Sequence, residues 1–318
     1  MQALAWIAFI VFVCVMLAID LGLLHREERV IRLREAMRFT GFCALLALAF
    51  CGLVWLLYER HWLGFGLPIG ESLTGNEAAL QFLTGWILEQ SLSVDNVFVI
   101  ALVFKSFKVP AIYQHRVLFW GILGALVFRG LMIGFGTTLI HQYGWVTYLF
   151  GALLIFSAIK LMLKKSDEDV SPDRNLLVRI ARKVWPVVPE FHGNSFFVRV
   201  DGRYAMTPLF LALLVVESMD IMFAVDSIPA VIAITSDPFL VFTSNVFAIL
   251  SLRSLFFAIA SILDKFEHMT TSLIFVLAFV GVKIMLSHHY EIPTLVSLAI
   301  IIGFLGIGAL ASILRRPR

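Results

Sequence analysis

The chain is written in long apolar stretches separated by short polar ones. Runs of about 20 residues with few charges recur from end to end, and a helix of that length spans the roughly 30 Å of a bilayer's hydrocarbon core. Nine such stretches are legible, at about 3–24, 38–58, 78–104, 116–138, 145–163, 206–233, 240–263, 271–287 and 293–314. Lipid offers no partner to an unpaired backbone N–H or C=O, so spans of this kind must be helices. The period-two alternation of an outer-membrane barrel is absent. The pattern predicts an all-α polytopic membrane protein with about nine transmembrane helices. No Lys or Arg precedes the first stretch, and the first basic residue is Arg26. That order fits an uncleaved helix better than a signal peptide. Asp20 then reads as an interfacial residue near Arg26.

The loops add orientation. Twenty of the 25 Lys and Arg residues fall in alternate loops and at the C-terminus, whereas Arg60 alone lies on the other side. The remaining four, Arg129, Lys160, Arg253 and Lys283, lie within spans. The positive-inside rule then predicts an outside N-terminus and a cytoplasmic C-terminus. One cytoplasmic loop, 164–205, is long enough for structure of its own. Asp201-Gly202, between Phe196–Val200 and Arg203–Ala205, is predicted to form a β-hairpin. This loop is either a connector or a docking surface for a protein partner.

Composition agrees, with 60% hydrophobic and 15% charged residues against about 25% charged in soluble domains. Cys14, Cys43 and Cys51 lie in apolar runs without CxxC spacing, which argues against disulfides and thiolate metal sites. No resident cofactor and no nucleic-acid partner is expected.

The middle of the chain repeats itself. Glu89-x5-Asp95-Asn96 matches Asp220-x5-Asp226-Ser227, Arg129 matches Arg253, and the run Phe156–Leu163 around Lys160 matches Phe279–Leu286 around Lys283. Each unit holds three spans, an odd number, so the second copy enters the membrane from the opposite side. Inverted repeats of this kind typify secondary transporters, with sites near the midplane. The predicted organisation is an N-terminal helix pair (1–58), a first repeat (78–163), the loop (164–205), an inverted second repeat (206–287) and a last span with a basic tail (293–318).

The carboxylates carry the chemistry. Glu89, Asp95, Glu217, Asp220 and Asp226 all fall inside apolar spans, where each costs about 2.5–3.5 kcal/mol at a helix centre. Such groups mark ion or proton pathways, or else pair with Arg129 and Arg253 to bolt the bundle together. Five acids against two arginines leave an excess that suits a divalent cation or protons. With Asn96 and Ser227 the donor set is oxygen only, which suits Mg²⁺, Ca²⁺ or Mn²⁺ rather than Zn²⁺ or Cu²⁺. A thioether from Met219 or Met222 would favour a softer ion, though packing is the commoner use of Met. Arg129 and Arg253 read equally as structural partners and as switching counter-charges. Lys160 and Lys283 read as snorkelling residues near span ends. On a regular helix the six-residue spacing turns Asp220 and Asp226 about 120° apart. A break at Pro229 would let both reach one site. Asn245 is either a helix cap or a further oxygen donor.

Two long segments carry a resemblance. Leu88-Glu89-Gln90-Ser91-Leu92-Ser93-Val94-Asp95-Asn96-Val97-Phe98-Val99 resembles the first signature of the TerC/Alx family, and Val216–Ala230 resembles the second. The similarity extends through Thr235–Phe239 and Thr243–Leu250. The resemblance implies a bacterial inner-membrane protein related to LysE-type exporters, with manganese efflux as its expected function and Glu89, Asp95, Glu217, Asp220 and Asp226 as its acidic site. Excess titratable carboxylates make H⁺ the expected counter-ion. Two other classes stand against transport. One is a membrane assembly or metallation partner, or a component of a tellurium-resistance complex. The other is an intramembrane enzyme, for which no HExxH or GxSxG motif is present.

Overall fold

The computed structural model describes residues 2–22, 33–66, 73–163, 176–200, 202–259, 269–286 and 292–314. The side chains of Asp20 and Asp95 lie outside the description, as do residues 23–32, 164–175 and 315–318, so Arg26 and the basic tail are not placed.

Among the described residues, nine long helices form where the apolar stretches lie: α1 (Gln2–Gly22), α2 (Leu33–Glu59), α3 (Gly75–Ser106), α4 (Ala111–Gln142), α5 (Trp145–Leu163), α7 (Pro208–Ile232), α8 (Pro238–Ile259), α9 (Met269–Leu286) and α10 (Thr294–Leu314). Six of them, α1, α2, α4, α7, α8 and α10, are long and apolar enough to cross a membrane, and α5 and α9 hold shorter apolar stretches. A ninth long helix, α3, carries Glu89 and Asp95 in its middle.

Local chemistry sets the helix ends. Thr74 and Glu77 form a capping box at the start of α3, each side chain accepting from the other's backbone N–H. At the other end Lys108 adopts φ 53°, and the Val109 N–H reaches back to the Phe104 carbonyl at 2.8 Å, a six-to-one closure of the Schellman type. Asp237 caps α8, accepting from the N–H groups of Phe239 at 2.8 Å and Leu240 at 3.3 Å. Pro238 occupies the first helical position, where no donor is needed.

Pro229 does not break α7, which runs unbroken to Ile232. Pro229 has no N–H to offer the Val225 carbonyl, yet the helix accommodates it and continues for three more residues.

The bundle is apolar on its outside, and its apolar core holds a few buried polar and charged groups. α1, α2 and α10 turn residues such as Leu4, Ile7, Leu45 and Ile307 outward at 60–70% exposure, whereas 83% of the α8 spanning window is buried against 17% for α1. α8 is therefore the central element. α5 packs chiefly on α9, α3 on α8 and α4 on α7. An aromatic cluster fastens α1 and α2 to α8, with Phe9–Phe50 centroids 5.4 Å apart and Phe50–Phe247 4.8 Å apart; such pairs contribute about 0.5–1.5 kcal/mol each beyond area burial.

In the long loop the hairpin forms as the turn sequence predicts. β1 (Phe197–Val200) pairs antiparallel with β2 (Arg203–Met206), Val200 opposite Arg203, and Gly202 takes φ 78°. The sequence did not announce α6 (Leu176–Val184), a short helix ahead of the hairpin.

Candidate functional site

Arg129 stands in the apolar run Leu126-Val127-Phe128 of α4 and is only 2% exposed. A guanidinium there must find acceptors, because an isolated buried charge costs several kcal/mol even after relaxation. Three helices supply them. Its Nη1 donates to Glu89 of α3, itself fully buried, in a close ion pair. The same nitrogen lies 3.2 Å from Oδ1 of Asn245 on α8 and 3.4 Å from Oγ of Ser227 on α7. Its Nη2 lies 3.4 Å from Oδ1 of Asp220 on α7. Asn245 is thus an oxygen donor within the bundle and not a cap.

The satisfaction is incomplete. Oε2 of Glu89, Nδ2 of Asn245 and Nε of Arg129 are buried without a hydrogen-bond partner among the described residues. Each such group costs about 1–3 kcal/mol. Glu89 and Asp220 together also outnumber the one guanidinium between them.

Glu217 and Asp226 meet other partners. Glu217, one turn before Asp220, is half-buried and close enough for mutual repulsion. It lies hard against Gly124 of α4, where a Cβ would overlap the carboxylate. Asp226 turns to α5 and accepts from Ser157 Oγ at 2.6 Å. The Lys160 ammonium, exposed one turn further along α5, attracts it. The 120° offset therefore holds, and Asp220 and Asp226 face different neighbours. Asn96 and Arg253 are buried at 3% and 4% exposure. The backbone of Asp95 continues α3. Among the described residues, no three His, Cys, Asp or Glu side chains converge to hold a metal ion.

One further expectation needs correction, that for Lys283, whereas Met219 takes the packing role that is the commoner one for Met. Lys283 is 8% exposed, so its side chain is packed within the bundle on a helix that contacts α5 and α10 and does not extend outward. Met222 is 43% exposed, directed away from the acids, and Met219 packs on the apolar core.

Residues 74–318 match the family described as "Integral membrane protein TerC family". The chain belongs to the TerC family. It is 44% identical over 310 residues to "Uncharacterized membrane protein STKORF319" of Myxococcus xanthus, covering 98% of this chain and 92% of the relative. It is 41% identical over 304 residues to the protein described as "Putative membrane-bound redox modulator Alx" of Escherichia coli strain K12, covering 95% and 92%. A Rickettsia felis membrane protein is 37% identical over 313 residues, covering 98% of each chain. No solved structure matches.

Sequence reasoning on this TerC protein missed Ser157 and Gly124. Ser157 had a signal, since it stands three residues before Lys160 in the repeated segment. Gly124 had a weaker one, the Gly121-x2-Gly124 spacing that lets a neighbouring helix approach.

Proposed function

We propose that this protein is a secondary transporter that exports a divalent metal cation, Mn²⁺ foremost, by alternating access through its intramembrane carboxylates. The observation that carries the reading is the setting of Arg129. Oxygens from α3, α7 and α8 that would suit a hard cation are gathered around a guanidinium. The guanidinium stands in for the metal, and the described conformation is a charge-locked state. An arriving cation competes for Glu89 and Asp220 and displaces Arg129. Asp95, Asn96, Glu217 and Asp226 complete the ion path in this reading, and Arg253 is the counter-charge of the second half.

The packing supports an inverted repeat. A two-fold relation between α3–α5 and α7–α9 makes the α3–α8 and α4–α7 pairs equivalent and sets α5 against its own mate α9. Those three pairs are the most extensive in the bundle. Rocking one half on the other then opens the centre to alternate sides. Moving two positive charges outward against 100 mV costs about 4.6 kcal/mol. Proton antiport through the excess carboxylates supplies the drive. The family resemblance supports an inner-membrane location, and the charge asymmetry of the loops supports an outside N-terminus and a cytoplasmic C-terminus. No enzymatic step is proposed.

The test is Mn²⁺ flux in proteoliposomes of the purified chain, with Asp220→Asn and Asp226→Asn as comparisons. Saturable flux that falls at least tenfold in both variants is expected. Flux unchanged in both removes the site, and no flux in the parent protein removes the transport reading in favour of an assembly role for the 164–205 loop.

A further inference from the structure

The short helix α6 presents three different faces. Val178 is fully buried, and it and Ala181, three residues on, pack against the core around the first turns of α7. Leu177, Ile180 and Val184 are spaced three and four apart and share a second face, yet they are 37%, 49% and 62% exposed. Arg179, Arg182 and Lys183, also three and four apart, form the third face. With Val178 the three cations line an open recess of about 350 Å³. Trp185, 51% exposed, follows directly.

An exposed apolar face beside a basic one is unstable in bulk water, and the apolar face is too small to make a core of its own. At a membrane surface both faces are satisfied. Apolar side chains enter the acyl boundary, while long basic side chains snorkel to the phosphates. Trp favours the same boundary. Position agrees, because α6 lies between two bundle helices, α5 and α7, and rests on the first turns of α7. The nearby acidic run Asp167-Glu168-Asp169 with Asp173 matches the basic face in charge, but residues 166–173 offer only Val170 and Pro172 to cover the apolar one.

We propose that α6 lies in the membrane interface and binds the phosphate headgroups of anionic phospholipids through Arg179, Arg182 and Lys183, with Leu177, Ile180 and Val184 seated in the acyl layer.

The test uses the full chain with Cys14, Cys43 and Cys51 changed to Ala and Val184→Cys carrying a nitroxide. It is placed in nanodiscs of phosphatidylcholine or of an equimolar mixture with phosphatidylglycerol. Collision of the label with oxygen, relative to a water-soluble nickel chelate, is expected to rise in the anionic discs. The rise should vanish when Arg179, Arg182 and Lys183 are all changed to Gln, and should shrink in high salt as the charges are screened. Gln keeps helix propensity, and the salt series on the parent basic face reads the same effect if the triple variant fails to fold. Equal collision ratios in the two discs overturn the proposal, as does a rise that survives both neutralisation and salt. A label that changes environment in phosphatidylcholine alone when Asp167, Glu168, Asp169 and Asp173 are neutralised makes the acidic run the occupant and overturns it too.

Discussion

Arg129 on α4 and Glu89 on α3 form an ion pair in which the carboxylate is fully buried and the guanidinium is 2% exposed. Removing Glu89 leaves the buried guanidinium with only the longer Asp220 ion pair at 3.4 Å among the described residues, and breaking a buried pair costs about 3–5 kcal/mol. Glu89→Gln is therefore expected to lower the unfolding temperature in detergent sharply. Exchanging both residues together, Glu89→Leu with Arg129→Met, should recover much of the loss, because an apolar pair needs no desolvation. A double variant as unstable as the single one would show that Asp220, Asn245 and Ser227 hold the region and that the pair does not.

The proposed competition between Arg129 and a cation makes a separate prediction. Arg129→Gln removes the internal charge while keeping a side chain that can hydrogen-bond. Mn²⁺ affinity, read by calorimetry on protein in nanodiscs, is expected to rise, whereas turnover should fall because the unloaded carrier loses the guanidinium that offsets part of its carboxylate charge on the return. Affinity that falls along with turnover would make Arg129 a structural bolt.

The approach of α4 to α7 at Gly124 gives a test with opposite signs for stability and transport. Ala is about 0.8–1 kcal/mol better than Gly in a helix interior, so the fold has little to lose. The added methyl nevertheless overlaps the Glu217 carboxylate and must push it aside. Gly124→Ala is expected to stay folded and to lose most Mn²⁺ flux. Adding Glu217→Asp, which shortens the side chain by one methylene, should restore part of it. Gly121→Ala meets only the Val216 side chain at 3.3 Å and should be nearly silent.

The helices were legible because lipid imposes one rule on the whole chain, and nine apolar stretches record it. The acids were legible for the same reason, since a carboxylate such as Glu89 stands out inside an apolar run. What each acid touches was not legible. Asp226 reaches Ser157 across 69 positions of sequence, and Glu217 meets Gly124, a residue without a side chain to notice. Pro229 misled because a proline can be held inside a helix by its packing without ending it, and α7 runs on to Ile232. α6 was missed because nine residues are too few for a periodic signal to stand clear of a loop.

The last relation joins the two faces of the bundle's rim. Tyr58 of α2 is fully buried, and its hydroxyl donates to Oδ2 of Asp237 at 2.7 Å, while Oδ1 of the same carboxylate caps α8. One acid thus ends the central helix and ties it to the N-terminal pair. Losing an N-cap costs about 1 kcal/mol, and a hydrogen bond to a charged group contributes about 1.5–3 kcal/mol. Tyr58→Phe removes only the bond, whereas Asp237→Ala removes both the bond and the cap, so Asp237→Ala should be the more destabilising by roughly the value of the cap. In Tyr58→Phe/Asp237→Ala the second change should add only that remainder, because the bond is already lost. Thermal unfolding of the three variants measures the coupling. Full additivity would mean that the tie contributes nothing and that α2 is held on α8 by its aromatic contacts alone.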